Sequence, residues 1–411
     1  MKIKESLQYE HCPSKYIYGM CEMFEGPIDK GIQPETTINL ISDLGCGSMR
    51  VWMHAKNLVK RQANSNSISF IESAYREYKS YIALLKEKGI HHIVSMNHSY
   101  IFPLGFSGNE KSEAEIPSPG TKEYSDFLNL LSDTYELLSS GFPEIPYWEI
   151  GNEVNLHRFL CKPNFPWENR PGENDYDESC CYTFEEKAQI TADLCYYANR
   201  GVKRGNPNAY VVFPSPTPYW GYTQLAWWFG EVYKAIESGD FPRGLTPDTD
   251  TDNYFQVLAW HPYNFGGEKD IFVTGCNEVY DVCKAHGDDG KKVFFTEFGY
   301  HDFDFVKERN MTKTEADEMQ ASFFKTDFKA FLEELPFVES VHIFRLFDWV
   351  AGPGIEIDFG MFTSTVHEEG IVPKAKGLAL YKLIQGEDAD TDCLYRYAKP
   401  ARQMINAQVR R

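Results

Sequence analysis

The sequence predicts a single (β/α)8 barrel, an α/β fold in which eight parallel strands alternate with eight helices. Short β-rich runs alternate with longer amphipathic stretches, and this alternation repeats eight times along the chain. Strict alternation favours a parallel sheet, and eight repeats fit a closed barrel better than an open doubly wound sheet. An open sheet that binds a dinucleotide needs a Gly-x-Gly-x-x-Gly turn after its first strand, whereas Gly19 stands there alone.

The predicted elements follow from periodicity and from the turn residues that bound each run. The strand candidates are residues 16–22, 47–54, 91–98, 147–152, 209–214, 255–261, 292–297 and 341–347. The helix candidates are residues 34–44, 71–88, 121–140, 183–204, 222–238, 278–285, 313–335 and 373–383. Gly89 follows the second helix, and a Thr-x-Glu-Glu run at Thr183 resembles a capping box, so the helices are separate units.

The chain is long enough for a large buried core, with 411 residues of which 42% are hydrophobic and 25% are charged. We expect one domain over residues 1–411, with the barrel core at about 16–385, because too few residues follow the eighth helix for a second domain. The longest irregular segments, 99–120 and 156–182, follow strands three and four. Loops of that length commonly form lids or binding walls.

Charge and composition limit the partners. The net charge of -19 repels nucleic acid, and no run combines many Lys or Arg residues with aromatic residues. No segment approaches the roughly 20 apolar residues of a membrane span, and the N-terminus lacks the apolar run of a signal peptide. We therefore expect a cytoplasmic protein, or a secreted one if a leader was removed. The ten cysteines contain no Cys-x-x-Cys pair, which favours reduced thiols over a zinc site or a disulfide framework.

Polar and aromatic side chains gather at the carboxyl ends of six of the eight predicted strands, where barrel enzymes build their sites. In strand order they are Arg50, His54, Asn97, His98, Asn152, Glu153, Trp260, His261, Tyr263, Glu297, Asp348 and Trp349. Two of them, Glu153 and Glu297, are carboxylates at the mouth of short apolar strands, an environment that suits acid–base chemistry. The pair suggests sugar chemistry.

The combination resembles clan A of the retaining glycoside hydrolases, barrels with an acid/base Glu after strand four and a nucleophile Glu after strand seven. Asn-Glu at strand four, His-x-Tyr at strand six, Thr-Glu-Phe-Gly at strand seven and a Trp after strand eight look most like glycoside hydrolase family 5, the cellulase family. The matching positions are Arg50, His98, Asn152, Glu153, His261, Tyr263, Glu297 and Trp349. The run 148–155 is also similar to family 39, the xylosidase and iduronidase family. Val154 stands where family 5 often has Pro.

The resemblance implies hydrolysis by double displacement, in which two carboxyl groups lie about 5 to 5.5 Å apart. Glu297 is the implied nucleophile, and Arg50 and Tyr263 would favour its anion. Glu153 is the implied acid and then base, because burial and the negative charge of Glu297 favour its protonated form. Glu149 lies deeper in the same strand, where we expect a structural hydrogen bond rather than an acid role.

Further residues are expected to contact the sugar. Asn152 is implied to bind the hydroxyl next to the reacting carbon, a contact that strengthens as charge develops. Trp349 offers a flat apolar face to a sugar ring. Trp167 and Trp220, in the loops after strands four and five, are candidates for outer subsites.

The remaining polar candidates carry alternatives. His98 and His261 are expected to supply neutral polar contacts around the ring. His54 either lines the site or caps its strand. Asp348 either contacts a sugar hydroxyl or forms an ion pair with Arg345.

The sequence thus predicts a retaining β-glycoside hydrolase that uses neither a metal nor an organic cofactor. Its expected substrate is an imported oligosaccharide or small glycoside, cleaved in exo fashion. An endo-acting β-glucanase or mannanase is the alternative within catalysis, and a noncatalytic carbohydrate-binding barrel is the alternative of another class. The sugar, the linkage and the oligomeric state are left open by the sequence.

Overall fold

The computed structural model describes residues 16–24, 32–61, 67–98, 115–163, 165, 179–238, 249–263, 269–299, 310–348, 359–363 and 370–399. Eight parallel strands form one sheet that nearly closes into a barrel, which confirms the predicted fold. The barrel strands are β1 (Ile17–Glu22), β2 (Ser48–Trp52), β5 (His92–Met96), β6 (Tyr147–Glu149), β7 (Tyr210–Val212), β8 (Leu258–Trp260), β9 (Val293–Phe298) and β10 (Val338–Phe344). A separate antiparallel hairpin of β3 (Val59–Arg61) and β4 (Ile68–Phe70), which the sequence did not predict, follows β2.

The strands follow each other around the barrel in chain order, from β1 through β2, β5, β6 and β7, and back from β1 to β10, β9 and β8. The seam lies between β7 and β8. A parallel bridge between Val212 and Val257 spans it, and the backbone N–H of Phe213 donates to the carbonyl of Val257 at 2.9 Å. Because all eight strands are parallel, their carboxyl ends lie at one rim of the barrel.

Helices pack around the barrel and separate its strands. They are α1 (Pro34–Asp43), α2 (Ala55–Leu58), α3 (Glu72–Glu87), α4 (Lys122–Gly141), α5 (Phe184–Gly205), α6 (Tyr222–Ser238), α7 (Lys269–Ala285), α8 (Lys313–Ser322), α9 (Phe328–Glu333) and α10 (Ala375–Gln385). No helix in the described part of the chain is both long and apolar enough to cross a membrane.

Most predicted helix ends lie within two residues of the observed ones. Gly89 has a φ of +81° and Thr183 forms the expected capping box with Glu186. Helix α7 begins nine residues before the predicted 278–285, because its first half is interrupted by Gly275, which weakens the periodic signal. Gly275 is needed there, since a Cβ at this position would lie 2.2 Å from the ring of Tyr222. The predicted helix 313–335 is divided by a π-turn at Phe323–Asp327.

Apolar residues fill the lower part of the barrel interior. Side chains from β5, β6, β7, β8 and β9 meet there in one buried cluster, which contains Val94, Tyr147, Val212, Val257, Ala259 and Phe294. Beside this cluster Ser48 lies between two buried histidines, with its Oγ at 2.8 Å from His92 Nδ1 and at 2.6 Å from His342 Nε2, and the His92 ring lies 4.5 Å from that of Tyr147. The lower interior therefore combines apolar side chains with one small hydrogen-bonded group of polar residues.

Strand β9 contains a register shift at its upper end. Val341 of β10 pairs with Phe295, but Ile343 pairs with Phe298, so β9 has one extra residue in this interval. A bulge of this kind interrupts the alternation of side chains and re-aims them. It allows two consecutive residues, Thr296 and Glu297, both to reach the barrel interior.

Candidate active site

Arg50 lies at the centre of the site and is fully buried. Its Nε donates to Glu149 Oε2 at 2.5 Å, and its Nη1 donates to Glu297 Oε1 at 2.5 Å. Its Nη2 donates to Asn152 Oδ1 at 2.7 Å. One guanidinium thus fixes two carboxylates and one amide from two different parts of the chain, as its planar array of donors permits.

Glu297 is held at both of its oxygens. Besides the contact with Arg50, Tyr263 donates its hydroxyl to Oε2 at 2.7 Å. Burial opposes ionisation of this carboxyl, whereas the charge of Arg50 and the hydrogen bonds from Tyr263 and Arg50 favour the carboxylate, and its pKa is lowered. Burial and then the negative charge of Glu297 raise the pKa of Tyr263 well above its ordinary value, so the phenol keeps its proton and donates it.

Glu153 is presented by an unusual backbone turn. Gly151 has a φ of +111° and Glu153 itself has a φ of +43°, a conformation that costs a non-glycine residue about 1 kcal/mol. The turn is stabilised by a hydrogen bond from Glu153 N to Ser215 O at 2.9 Å. Asn155 adds two hydrogen bonds to the backbone of Thr217 at 2.8 and 3.1 Å. The run after β6 is therefore clamped to the loop after β7, with Glu153 directed at the site.

Glu153 and Glu297 face each other across His261. Nδ1 of His261 lies 3.1 Å from Glu153 Oε1 and 3.7 Å from Glu297 Oε2. One oxygen of each carboxyl group and a nitrogen of His261 all lie within 4.8 Å of one another, a set that could also hold a metal ion. Arg50 and Tyr263 already occupy both oxygens of Glu297, so a metal would compete with two donors there.

Histidine side chains line the wall next to β2 and β5. The rings of His54 and His98 meet edge to face with centroids 4.4 Å apart, and Trp52 lies 5.9 Å from His98. Burial lowers the pKa of His54 to about 3 and that of His98 well below its ordinary value. Both imidazoles are therefore neutral at ordinary pH and offer uncharged polar contacts.

Some predicted site residues lie elsewhere. Asn97 accepts the backbone N–H of Ala55 at 2.9 Å and so supports the start of α2. Trp260 is fully buried among aromatic rings, 5.5 Å from Phe295 and 6.0 Å from Phe229 of α6. The structure does not bring Asn97 or Trp260 into the carboxylate cluster, because neighbours of inward-facing residues on a strand point toward the helices.

Of the two alternatives for Asp348, the ion pair with Arg345 is wrong, and a contact with a sugar hydroxyl stays a prediction. Asp348 contacts Lys374 Nζ at 3.1 Å and accepts the N–H of Gly360 at 3.0 Å. Arg345 instead forms a buried ion pair with Glu22 at 2.6 Å, which joins the ends of β1 and β10. These partners come from distant parts of the sequence, so spacing could not indicate them.

The structure describes one of the three tryptophans that were predicted to contact sugar. Trp349 and Trp167 lie outside the described residues. Trp220 lies beside the loop after β6, where its ring is 6.3 Å from His157 and 4.9 Å from Phe184. It stays a candidate for an outer subsite.

Sequence reasoning missed several residues at the site. Cys21 is buried at the end of β1, with its Sγ 3.8 Å from Glu297 Oε1 and 3.3 Å from Arg50 Nη1. Arg158 lies 3.5 Å from Glu153 Oε2. Thr296 and Ser215 donate hydrogen bonds to Glu149, next to the cluster of Arg50, Glu153 and Glu297. Thr296 had a signal, since it directly precedes Glu297, whereas the others are joined to the site only by folding.

The barrel is similar to solved structures of glycoside hydrolases. A family 39 glycoside hydrolase from the gut symbiont Bacteroides cellulosilyticus WH2 matches with a TM-score of 0.57 and 14% identity over 90% of this chain, which spans 63% of that protein's length. The β-glycosidase of the hyperthermophile Thermosphaera aggregans matches with a TM-score of 0.57 and 11% identity, over 96% of this chain and 98% of that one.

A Bacteroidetes-affiliated family 5 cellulase linked with a polysaccharide utilization locus also matches, with a TM-score of 0.55 and 11% identity, over 92% of this chain and 93% of that one. At these identities the likeness shows a shared fold, and it confirms the predicted resemblance to clan A barrels at that level. No protein-family model and no curated protein matches the chain.

Proposed function

We propose that the protein is a retaining β-glycoside hydrolase that works by double displacement. The observation that carries this proposal is the pair of buried carboxyl groups, Glu153 and Glu297, with an oxygen of each within 4.8 Å of the other. Retaining enzymes hold the pair about 5 to 5.5 Å apart, whereas inverting enzymes leave about 6.5 to 9.5 Å for a water molecule. The glycosidases among the solved structures of similar fold support the same reading.

In the first step Glu297 attacks the anomeric carbon and forms a covalent glycosyl-enzyme. Arg50 and Tyr263 keep the carboxylate ionised and orient it. The bond to the leaving oxygen breaks as Glu153 donates its proton to that oxygen.

In the second step Glu153, now ionised, removes a proton from water as the water attacks the same carbon, and Glu297 leaves. Asn152 contributes through its amide. Its Oδ1 is occupied by Arg50, so its Nδ2 is left to donate to the hydroxyl next to the reacting carbon.

The proposed test replaces each carboxylate. On an aryl β-glycoside with an activated leaving group, E297A should lose about 10³-fold or more of kcat/KM, whereas E153A should lose mainly kcat, because the leaving group needs little acid but the glycosyl-enzyme still needs a base. Azide should rescue both variants and give glycosyl azides of opposite anomeric configuration, because it replaces Glu297 in one and attacks the glycosyl-enzyme in the other. E123A, which removes an exposed glutamate of α4, is the control and should behave as wild type.

Near wild-type activity in either variant would overturn the assignment. Sugar binding without turnover by the wild-type protein would instead indicate a noncatalytic carbohydrate-binding barrel.

Within this class we propose exo action on an oligosaccharide or small glycoside. The neutral His54 and His98 on the wall of the site favour a sugar that presents hydroxyl groups rather than a charge. A screen of aryl β-glycosides that differ only in the sugar tests whether the enzyme prefers an uncharged sugar.

A labelled oligosaccharide series tests exo action. An exo enzyme releases sugars from one end, whereas an endo-acting glucanase or mannanase releases products of intermediate length.

A further inference from the structure

A chain of hydrogen bonds runs from the buried base of the site to Glu153. The hydroxyl of Thr296 lies 3.0 Å from Glu149 Oε1, and the same oxygen lies 3.1 Å from His261 Nε2. On its other side His261 presents Nδ1 to Glu153 Oε1 at 3.1 Å. All four side chains are buried, so each contact must be a hydrogen bond in which one of the two groups supplies the hydrogen.

The direction of each hydrogen bond follows from what the groups can donate. Glu149 is ion-paired with Arg50, and an ionised carboxylate only accepts. Thr296 has a single hydroxyl proton, and Glu149 or Ser215, whose Oγ is 2.5 Å away and itself donates to Glu149, takes it. The oxygen of Thr296 is thus left to accept from His261 Nε2, which must carry a hydrogen.

This assignment determines what His261 offers to Glu153. A neutral imidazole with its hydrogen on Nε2 has a lone pair on Nδ1, which accepts but cannot donate. The 3.1 Å contact with Glu153 Oε1 then requires the proton to be on Glu153. Resting on the proposed function, we propose that Thr296 is a positioning residue, held by Glu149, which fixes the tautomer of His261 and so keeps the acid proton on Glu153.

The charges around Glu153 agree with this arrangement. Arg50 forms direct ion pairs with two carboxylates, Glu149 and Glu297, and these take its Nε and Nη1. Glu297 Oε2 also lies 3.7 Å from His261 Nδ1 and takes its own hydrogen bond from Tyr263. Among the described residues Arg158 also approaches Glu153, and its partly exposed side chain lies 3.5 Å from the other oxygen of that carboxyl group.

The same chain of hydrogen bonds serves the second step of the reaction. After Glu153 has given its proton to the leaving group, its carboxylate faces the lone pair of His261 rather than a donor. That repulsion favours the return of a proton, here from the attacking water. This chain of hydrogen bonds therefore supports both the acid and the base role of one residue without taking the proton itself.

The decisive variant is T296V, which keeps the shape of the side chain and removes its oxygen. Nε2 then loses its acceptor, and His261 can carry its hydrogen on Nδ1 and donate it to Glu153, which stabilises the carboxylate. We expect the basic limb of the kcat/KM profile to move to lower pH. The loss of kcat/KM should grow with the basicity of the leaving group, from small for dinitrophenyl glycosides to about 10- to 100-fold for alkyl glycosides.

Two further variants separate this effect from a loss of packing. T296S restores the hydroxyl and should recover the wild-type profile. T191V replaces another fully buried threonine, on α5 and without a hydrogen-bond partner for its hydroxyl among the described residues, and should leave both readouts unchanged. An equal loss on all leaving groups with an unmoved pH profile in T296V would overturn the proposal.

The tautomer can also be read directly in the wild-type protein. With 15N-labelled histidine, and H261Q to assign the signal among the 11 histidines, Nε2 of His261 should be protonated and Nδ1 should not. A hydrogen on Nδ1 in the neutral ring would overturn the proposal even if T296V did not fold. Failure of the proposed function would appear differently, as absent turnover by the wild-type protein or as azide products of the same configuration.

Discussion

Each oxygen of Glu297 has its own donor, and this division determines how the nucleophile can be tuned. Arg50 supplies a permanent charge to Oε1, while Tyr263 supplies a neutral hydrogen bond to Oε2. Removing Arg50 would leave two buried carboxylates uncompensated, which threatens the fold itself. Removing the hydroxyl of Tyr263 takes no charge out of the buried site, so it is the better probe of the nucleophile.

We predict that Y263F slows the reaction and raises the pH at which activity begins. The hydrogen bond from Tyr263 helps to lower the pKa of Glu297, so its loss raises that pKa, and the acid limb of kcat/KM moves to higher pH. The rate at the optimum should fall about 10- to 100-fold, as for loss of a hydrogen bond to a charged group. The profile is measured on an aryl β-glycoside, with Y219F, at an exposed tyrosine, as the control. A shift of the acid limb to lower pH would contradict this role.

At the scale of elements, β1 approaches its neighbours so closely that only glycine fits at one position. A Cβ on Gly19 would lie 2.7 Å from Ser48 Cβ, 2.8 Å from the backbone oxygen of Ser48 and 2.8 Å from the ring of His342. Gly19 pairs with Ser48 on one side and His342 on the other, so both neighbouring strands constrain it.

We therefore predict that G19A destabilises the barrel by about 1–3 kcal/mol, the usual cost of overpacking a core. The free energy of unfolding is measured by urea denaturation followed by circular dichroism. Gly290 provides a matched control, because a Cβ there would meet nothing within 4 Å and its backbone conformation needs no glycine. A loss of stability in G290A equal to that in G19A would show that the close approach of β1, β2 and β10 is not the cause.

The bulge in β9 determines which of its side chains reach the candidate active site. Without the extra residue, Thr296 and Glu297 would point to opposite sides of the sheet. With it, Glu297 reaches Arg50 and Tyr263 while Thr296 reaches His261. The bulge thus places Glu297, the proposed nucleophile, and Thr296, the residue proposed to orient His261, on the same side of the sheet.

At the scale of the whole molecule, buried histidines couple the stability of the barrel to pH. Burial lowers the pKa of His92 to about 3, and burial, His92 and Arg50 lower that of His342 well below its ordinary value. Both groups share Ser48 inside the barrel. In the unfolded chain a histidine takes up a proton below about pH 6.5, whereas in the folded barrel these two cannot.

The folded state should therefore lose stability as the pH falls below about 6.5, at about 1.4 kcal/mol per pH unit for each such histidine. Replacing His92 by Gln should remove one of these contributions and flatten the dependence between pH 7 and pH 5, as measured by urea denaturation. H91Q changes the exposed neighbouring histidine and serves as the control. An unchanged slope in H92Q would mean that His92 does not contribute to the acid sensitivity.

The amino-acid sequence by itself predicted the barrel and most of the residues at its rim. The eightfold alternation predicts the barrel, because a strand followed by a helix returns to the same sheet by a local rule of packing. The residues after strand ends predict which side chains meet at the rim, and Arg50, Glu153, His261, Tyr263 and Glu297 do meet there. Strand parity also could have assigned Asn97 and Trp260 to the helix side, since their neighbours His98 and His261 face inward.

Only the tertiary structure decided which distant residues of the sequence come into contact. The pairing of Glu22 with Arg345, the link from Asp348 to Lys374 and the place of Cys21 beside Glu297 join residues that lie far apart in the sequence. The bulge in β9 is set by its pairing with β10, so parity along the sequence alone assigns Thr296 or Glu297 to the wrong side. Alternation and strand ends are local properties of a chain, whereas register and buried ion pairs exist only once the barrel has closed.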